Sequence, residues 1–227
     1  METNPLPRRE VAVDEWKWSA DQDPKFHRKN YSQLLVKHFE KLFENGTTGR
    51  VFVPLCGKTM DLIFLEEKGL EVVGLEFSKI GIEAFFEENN LTYSESTCSD
   101  SSLVVYKCKE KNITIYRGDI FDLKPELCGQ FDGFWDRGSY VAINIPTQQK
   151  YTDLIFSLMK PKAKILMESI TYDMSKCKGP PHCITIENLQ GTFGKKCNIE
   201  VIDMIKYPAN FQPDLELTIR LCFISFK

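Results

Sequence analysis

Two apolar runs close on groups that can do chemistry. The run Arg50-Val-Phe-Val-Pro54 ends in the bend Leu55-Cys-Gly57, and the run Glu71-Val-Val-Gly-Leu75 ends in the acid Glu76. The acid follows the bend by about twenty residues, the offset at which a carboxylate reaches ribose hydroxyls in a strand–turn–helix–strand unit. The usual three-glycine turn is absent and only Gly57 remains, which gives a dinucleotide pyrophosphate poor access to the backbone. Further along, Asp119-Ile120 and Asp136-Arg137 follow two more apolar runs. In an open parallel sheet, ligands collect outside the carboxyl ends of the strands, where all of these groups would converge.

The chemistry expected of such a site is the binding of a nucleoside cofactor that lacks a pyrophosphate, S-adenosylmethionine being the candidate. Leu55, Gly57 and Glu76 are its expected contacts. Asp119 can accept from an adenine amine while Ile120 packs on the ring. Arg137, after a Trp-Asp pair, is expected to face the cleft as the catalytic cation. Each position also has a plainer reading: an exposed acid for Glu76, a turn for Asp119 and a surface charge for Arg137. Trp16 and Trp18 suit a flap over the cofactor as well as they suit a core.

Other chemistries fit poorly. Gly57-Lys58-Thr59 resembles the end of a phosphate-binding loop, but Phe52 stands where its first glycine belongs. His27, His38 and His182 have no neighbouring serine or cysteine in a hydrolase signature. The eight cysteines form no Cys-x-x-Cys pair and no histidine lies at metal spacing beside them. They read as reduced thiols of a cytoplasmic protein, with no metal site.

The elements that must position these groups follow from periodicity. Apolar residues at helical spacing predict a helix over Tyr31–Phe43, stopped by Asn45-Gly46. Strands are expected at 51–54, 71–75 and 131–135, and at 163–169. Helices are expected at 60–68, after Ser78, at 148–159 and at 186–193. Residues 94–102 read as a polar loop. A small hairpin joins 104–108 to 112–116, and 199–205 and 215–226 are expected to pair antiparallel with no helix between them. Strands alternating with helices imply an α/β, doubly wound, mostly parallel seven-stranded sheet with one antiparallel edge strand. That closing pair favours the methyltransferase form of the fold over the dehydrogenase form.

The chain has 227 residues, 42% hydrophobic, with a net charge of −3. This suits a flexible lead over 1–15 and one domain over 16–227. The charge supplies no field for nucleic acid or an anionic membrane, no apolar run is long enough to span a bilayer, and no signal segment is expected at the N-terminus.

Val53-Pro-Leu-Cys-Gly-Lys58, Val72-Val-Gly-Leu-Glu76, Gly81-Ile-Glu-Ala-Phe-Phe86, Asn90-Leu-Thr-Tyr-Ser-Glu95, Asp119-Ile-Phe-Asp-Leu123, Phe134-Trp-Asp-Arg-Gly138, Val141-Ala-Ile-Asn144 and Gly179-Pro-Pro181 follow one another in this order. Together they make the chain resemble thiopurine S-methyltransferases from about Trp16 to Lys227. The resemblance implies a monomeric cytoplasmic enzyme that methylates the sulfur of aromatic or heterocyclic thiols such as thiopurines. It implies that Leu55, Glu76, Asp119, Ile120 and Arg137 contact S-adenosylmethionine. A flap from Trp16 to Phe26 would cover the cofactor, with Phe26 and Arg137 also touching the thiol. Relatives often carry serine where Asp119 stands, and a longer basic loop where this chain has Lys206–Pro213. The alternative is a methyltransferase for another small nucleophile: thiocyanate, halide, or a selenium or tellurium compound.

Overall fold

The computed structural model describes residues 27–43, 48–99, 101–209 and 212–227. Apolar side chains alternate between the two faces of each central strand, and helices cover both faces. In β1 (Arg50–Val53) Val51 and Val53 point to one face and Phe52 to the other. In β2 (Glu71–Glu76) Val72 joins the first set, and Val73 and Leu75 join the second. Strands buried on both sides read as continuous apolar runs rather than as alternation, which is why these were legible as core strands.

One face is covered by α1 (Gln33–Leu42), α2 (Asp61–Glu67) and α3 (Lys79–Glu88), which bring Leu35, Leu62, Leu65, Ile82 and Phe85 against Val51 and Val72. The other face is covered by α4 (Pro125–Cys128), α5 (Gln148–Leu158) and α6 (Ile186–Thr192), with Tyr151, Ile155 and Leu189 against Phe52 and Phe134. Side chains start three of these helices. Ser32 accepts from the Leu35 amide, Ser78 from the Gly81 amide, and Thr185 and Asn188 form a reciprocal capping pair.

Among the described residues the sheet has nine strands, in the order β3-β4-β5-β2-β1-β6-β7-β9-β8. Its five central strands are parallel: β5 (Ile113–Arg117), β2, β1, β6 (Phe131–Asp136) and β7 (Met159–Thr171). The expected antiparallel strand is β9 (Gln212–Phe226), which pairs with β7 on one side and with β8 (Cys197–Ala209) on the other. The order reverses at β1, so the chain leaves β1 and β6 in opposite directions and opens a crevice above their carboxyl ends.

The sheet has two strands more than the seven expected, and the first arm of the expected hairpin, β4 (Val104–Cys108), joins it antiparallel to β5. Where 94–102 reads as a polar loop, Tyr93–Thr97 forms β3, an antiparallel partner of β4. Four of its five residues are exposed, so its sequence, Tyr-Ser-Glu-Ser-Thr, carries no apolar alternation to betray it. The backbone ladder to β4 makes it a strand. Residues 1–26, which include Trp16, Trp18 and Phe26, lie outside the described residues, as do 44–47, where the stop at Asn45-Gly46 was expected.

Candidate active site

The bend after β1 is built from two residues in the left-handed region, Leu55 at φ 43° and Gly57 at φ 52°. Glycine holds this conformation without penalty, whereas for leucine it costs about 1–2 kcal/mol. The surroundings enforce it: the Cys56 amide donates to the Leu75 carbonyl at 2.9 Å, stitching the bend to β2. The Cys56 thiol fits because position 74 is glycine; a Cβ there would lie 2.7 Å from the sulfur.

The same stitch places Glu76. Its Oε2 accepts from the Gly57 amide at 2.8 Å and its Oε1 from the Ser78 amide at 2.7 Å. Burial pushes this carboxyl above its ordinary range, while the amides of Ser78, Gly57 and Phe77 pull the other way. With about four acceptor sites on its two oxygens, the carboxylate keeps capacity for a ligand hydroxyl. The Gly57 amide is taken by the acid and is not presented to a phosphate. Lys58, the other phosphate-loop feature, pairs with Glu88 of α3.

At the neighbouring strand end, the Gly118 amide donates to the Glu76 carbonyl at 3.1 Å. Gly118 has φ +153°, and a Cβ on it would lie 2.3 Å from Leu103. The Asp119 carboxylate accepts from the Phe121 amide at 3.0 Å and so caps the short 3-10 turn Ile120–Asp122. Ile120 is buried beneath the crevice.

At the ends of β6 and β7 the structure corrects one expectation. Asp136, expected to converge on the crevice with Arg137, points instead into the core. Its carboxylate accepts from Tyr151 Oη at 2.7 Å, from the Tyr140 amide at 3.0 Å and from Ser139 Oγ. Neighbours in a strand point to opposite faces, so Asp136 and Arg137 diverge. The acid that faces Arg137 is Glu168 of β7, 3.8 Å from its Nε. Burial pushes the Glu168 carboxyl up; Arg137 and Arg28 pull it down, Asp61 pushes it up, and Ser32 Oγ donates to it at 3.3 Å. Asp61 is itself satisfied by the Ser32 amide at 2.7 Å and by Trp135 Nε1 at 2.8 Å. Arg28 donates to Tyr207 Oη and sits 5.0 Å over its ring, joining the segment before α1 to the β8–β9 hairpin.

These groups line one cavity of about 230 Å³ along the carboxyl ends of the strands. Leu55, Gly57, Glu76, Asp119, Ile120 and Arg137 all face it. The structure thus brings these six together and leaves Asp136 out, while Trp16 and Phe26 lie outside the described residues. Arg28, Glu168 and Tyr207 were missed. A carboxylate in the apolar run that makes β7 was a signal for Glu168; Arg28 and Tyr207 carry no local one. Among the described residues no group of three or more potential ligands could hold a metal, and no helix is long and apolar enough to cross a membrane.

A cleft with a buried, amide-held acid at one strand end, the Gly57 amide occupied by that acid, and a cation at its far side narrows the possible families. The thiopurine S-methyltransferase family model matches residues 11–212. This chain belongs to that family. Thiopurine S-methyltransferase of Rattus norvegicus is 37% identical over 200 residues, covering 87% of this chain and 83% of the relative. That of Bos taurus is 35% identical over 200 residues, covering 87% and 81%. Among solved structures, an S-adenosylmethionine-dependent methyltransferase from Methanosarcina mazei superposes with a TM-score of 0.61 at 9% identity, covering 87% of this chain and 99% of that one. An N-methyltransferase from Bradyrhizobium japonicum, solved with S-adenosylhomocysteine, gives 0.56 at 9%, covering 85% and 86%. At such identities the likeness is one of fold: the nine-stranded sheet of this family member carries the class I methyltransferase architecture.

Proposed function

We propose that this chain transfers a methyl group from S-adenosylmethionine to the sulfur of aromatic or heterocyclic thiols such as thiopurines. The observation that carries the reading is the continuity of the cleft. Glu76, amide-held and with acceptor sites to spare, stands at one part of it, and Arg137 stands across β1 among apolar walls. The residues fit a nucleoside cofactor: Glu76 would hold the sugar hydroxyls, Asp119 and Ile120 would hold the base, and Leu55 and Gly57 would add further contacts. Trp16 and Phe26 would close over the site and keep water out.

When bound, the cofactor supplies a methyl carbon on a sulfonium, which makes that carbon electrophilic. The protein's part is alignment. A thiolate is the reactive form of a thiol, and an aromatic thiol ionises readily, so no dedicated base is required. Arg137 attracts the anionic sulfur or orients the cofactor carboxylate, and the apolar walls hold a flat ring in one pose. We read the enzyme as a cytoplasmic monomer acting on small molecules rather than on nucleic acid or membranes. Its eight unpaired cysteines support a reducing compartment.

The test is a methyl-transfer assay offering 6-mercaptopurine, thiocyanate and iodide separately. S-methylated mercaptopurine, identified by mass, is the expected product. Transfer to thiocyanate or iodide without transfer to the thiol would replace this reading with the other-nucleophile alternative.

A further inference from the structure

The thiol reading leaves a buried acid unexplained at the acceptor side of the cleft. Glu168 lies in β7 on the same strand face as Leu166 and Ile170. Leu166 is fully buried in the apolar cluster under α1 to α3, and Ile170 packs against that cluster. A strand face of this kind calls for an apolar side chain, and a polar residue that breaks such a pattern marks a functional position. Glu168 is only 4% exposed, yet it lines the cleft.

Among the described residues, the charges around it are few. Arg137 lies 3.8 Å away through its Nε, too far for a hydrogen bond, and it makes no hydrogen bond to a described residue. Its N–H groups therefore remain for a ligand. Arg28 enters from the segment before α1, clasped to Tyr207. Asp61, behind Glu168, is held by two N–H donors. Ser32 is the only described residue that hydrogen-bonds Glu168. Two guanidiniums alone would make this end a trap for carboxylates and phosphates, which arginine forks grip in pairs. With Glu168 and Asp61 counted, the two positive and two negative charges cancel. Leu217 and Ile219 of β9 supply the apolar wall beside them.

We propose that Glu168 is an acceptor-specificity residue: it cancels the arginine field so that the cleft admits a flat thiol and rejects one carrying a further carboxylate or phosphate. The inference rests on the thiol reading above and names the substrate class of that site. An acceptor with a second anionic group meets the Glu168 carboxylate at close range in an apolar cleft, where like-charge juxtaposition is costly. The thiolate sulfur alone is a single, diffuse charge that Arg137 can meet.

The experiment compares kcat/KM for benzenethiol and 4-mercaptobenzoate, in wild type and in Glu168→Gln, with adenosylhomocysteine affinity measured by calorimetry alongside. Wild type is expected to favour benzenethiol by about tenfold or more, and Glu168→Gln to shift the ratio toward 4-mercaptobenzoate by about tenfold. Adenosylhomocysteine affinity should stay within about threefold. A structural role would move both acceptors equally, so an unchanged ratio in a folded variant overturns the proposal. Wild-type preference for 4-mercaptobenzoate overturns it without any variant. If Glu168→Gln does not fold, Arg28→Gln serves: the ratio should move further toward benzenethiol, and movement the other way contradicts the assignment. Should wild type methylate neither thiol, the thiol reading fails. The charge rule is then read from binding of phenol against benzoate to the adenosylhomocysteine-loaded protein, with tighter benzoate binding overturning it.

Discussion

Glu76 and Asp136 are both buried carboxylates at the ends of central strands, and their partners give them opposite roles. Glu76 accepts from backbone amides and, with about four acceptor sites on its two oxygens, keeps capacity for a ligand. Asp136 accepts from Ser139, Tyr140 and Tyr151 and faces away from the cleft, tying the β6 loop to α5. Asp136→Asn would turn an amide NH₂ toward groups that all donate. It is expected to lose about 1–3 kcal/mol in urea unfolding while adenosylhomocysteine affinity stays within about threefold. Unaltered stability would contradict the staple role. Arg137→Ala should lower kcat/KM for an aromatic thiol by about ten- to a hundredfold, the worth of a charged hydrogen bond. Kinetics and cofactor affinity both unchanged would remove Arg137 from the site. Glu76 was legible because its signal is local, an acid closing an apolar run at a fixed offset from a bend. Arg28 and Tyr207 meet 179 residues apart in sequence, and only tertiary packing brings them together. Asp136 was misassigned because adjacency in sequence was read as adjacency in space, which a strand forbids.

Between elements, α1 is fastened to β8 by one acid. Asp203 accepts from Lys37 Nζ at 2.6 Å and from His38 Nε2 at 2.7 Å. These bonds, Lys37 first, hold its carboxyl well below the usual carboxylate range. A lowered folded-state value means that the unfolded chain binds the proton more readily. The stabilisation is therefore present above about pH 4 and lost as pH falls through the folded value. Because Lys37 is mostly exposed, the effect is modest. Asp203→Asn should lower Tm by about 1–4 °C at pH 7, and the gap should narrow as the pH is taken below about 3. A gap that is constant with pH would show that the pair carries no linkage. The elements legible in sequence were those with a strong period or a cap: α1 with its Leu34, Leu35 and Phe39 stripe, α3 behind Ser78, and the central strands. β3 was not, since an exposed edge strand is held by its ladder to β4 rather than by burial. β8 and β9 proved longer than their apolar cores, because hairpin pairing carries both strands beyond the buried residues.

For the whole molecule, topology places the chemistry. Parallel strands that diverge from β1 leave their carboxyl ends open on one side, and the described candidate residues apart from Asp136 fall there. The architecture was readable from the alternation of strands and helices, and solved methyltransferase structures at 9% identity share it. The size of the sheet was not readable, nor was the charge balance of the acceptor side, which depends on side chains from four separate segments. The account rests on Glu76 receiving the sugar of a nucleoside cofactor. Calorimetric titration of S-adenosylhomocysteine into the full chain and into Glu76→Ala tests this most directly. Saturable binding to wild type, weakened by about a hundredfold in the variant, is the predicted result. A folded wild-type chain that takes up no adenosylhomocysteine, or a variant that binds it as tightly, contradicts the account.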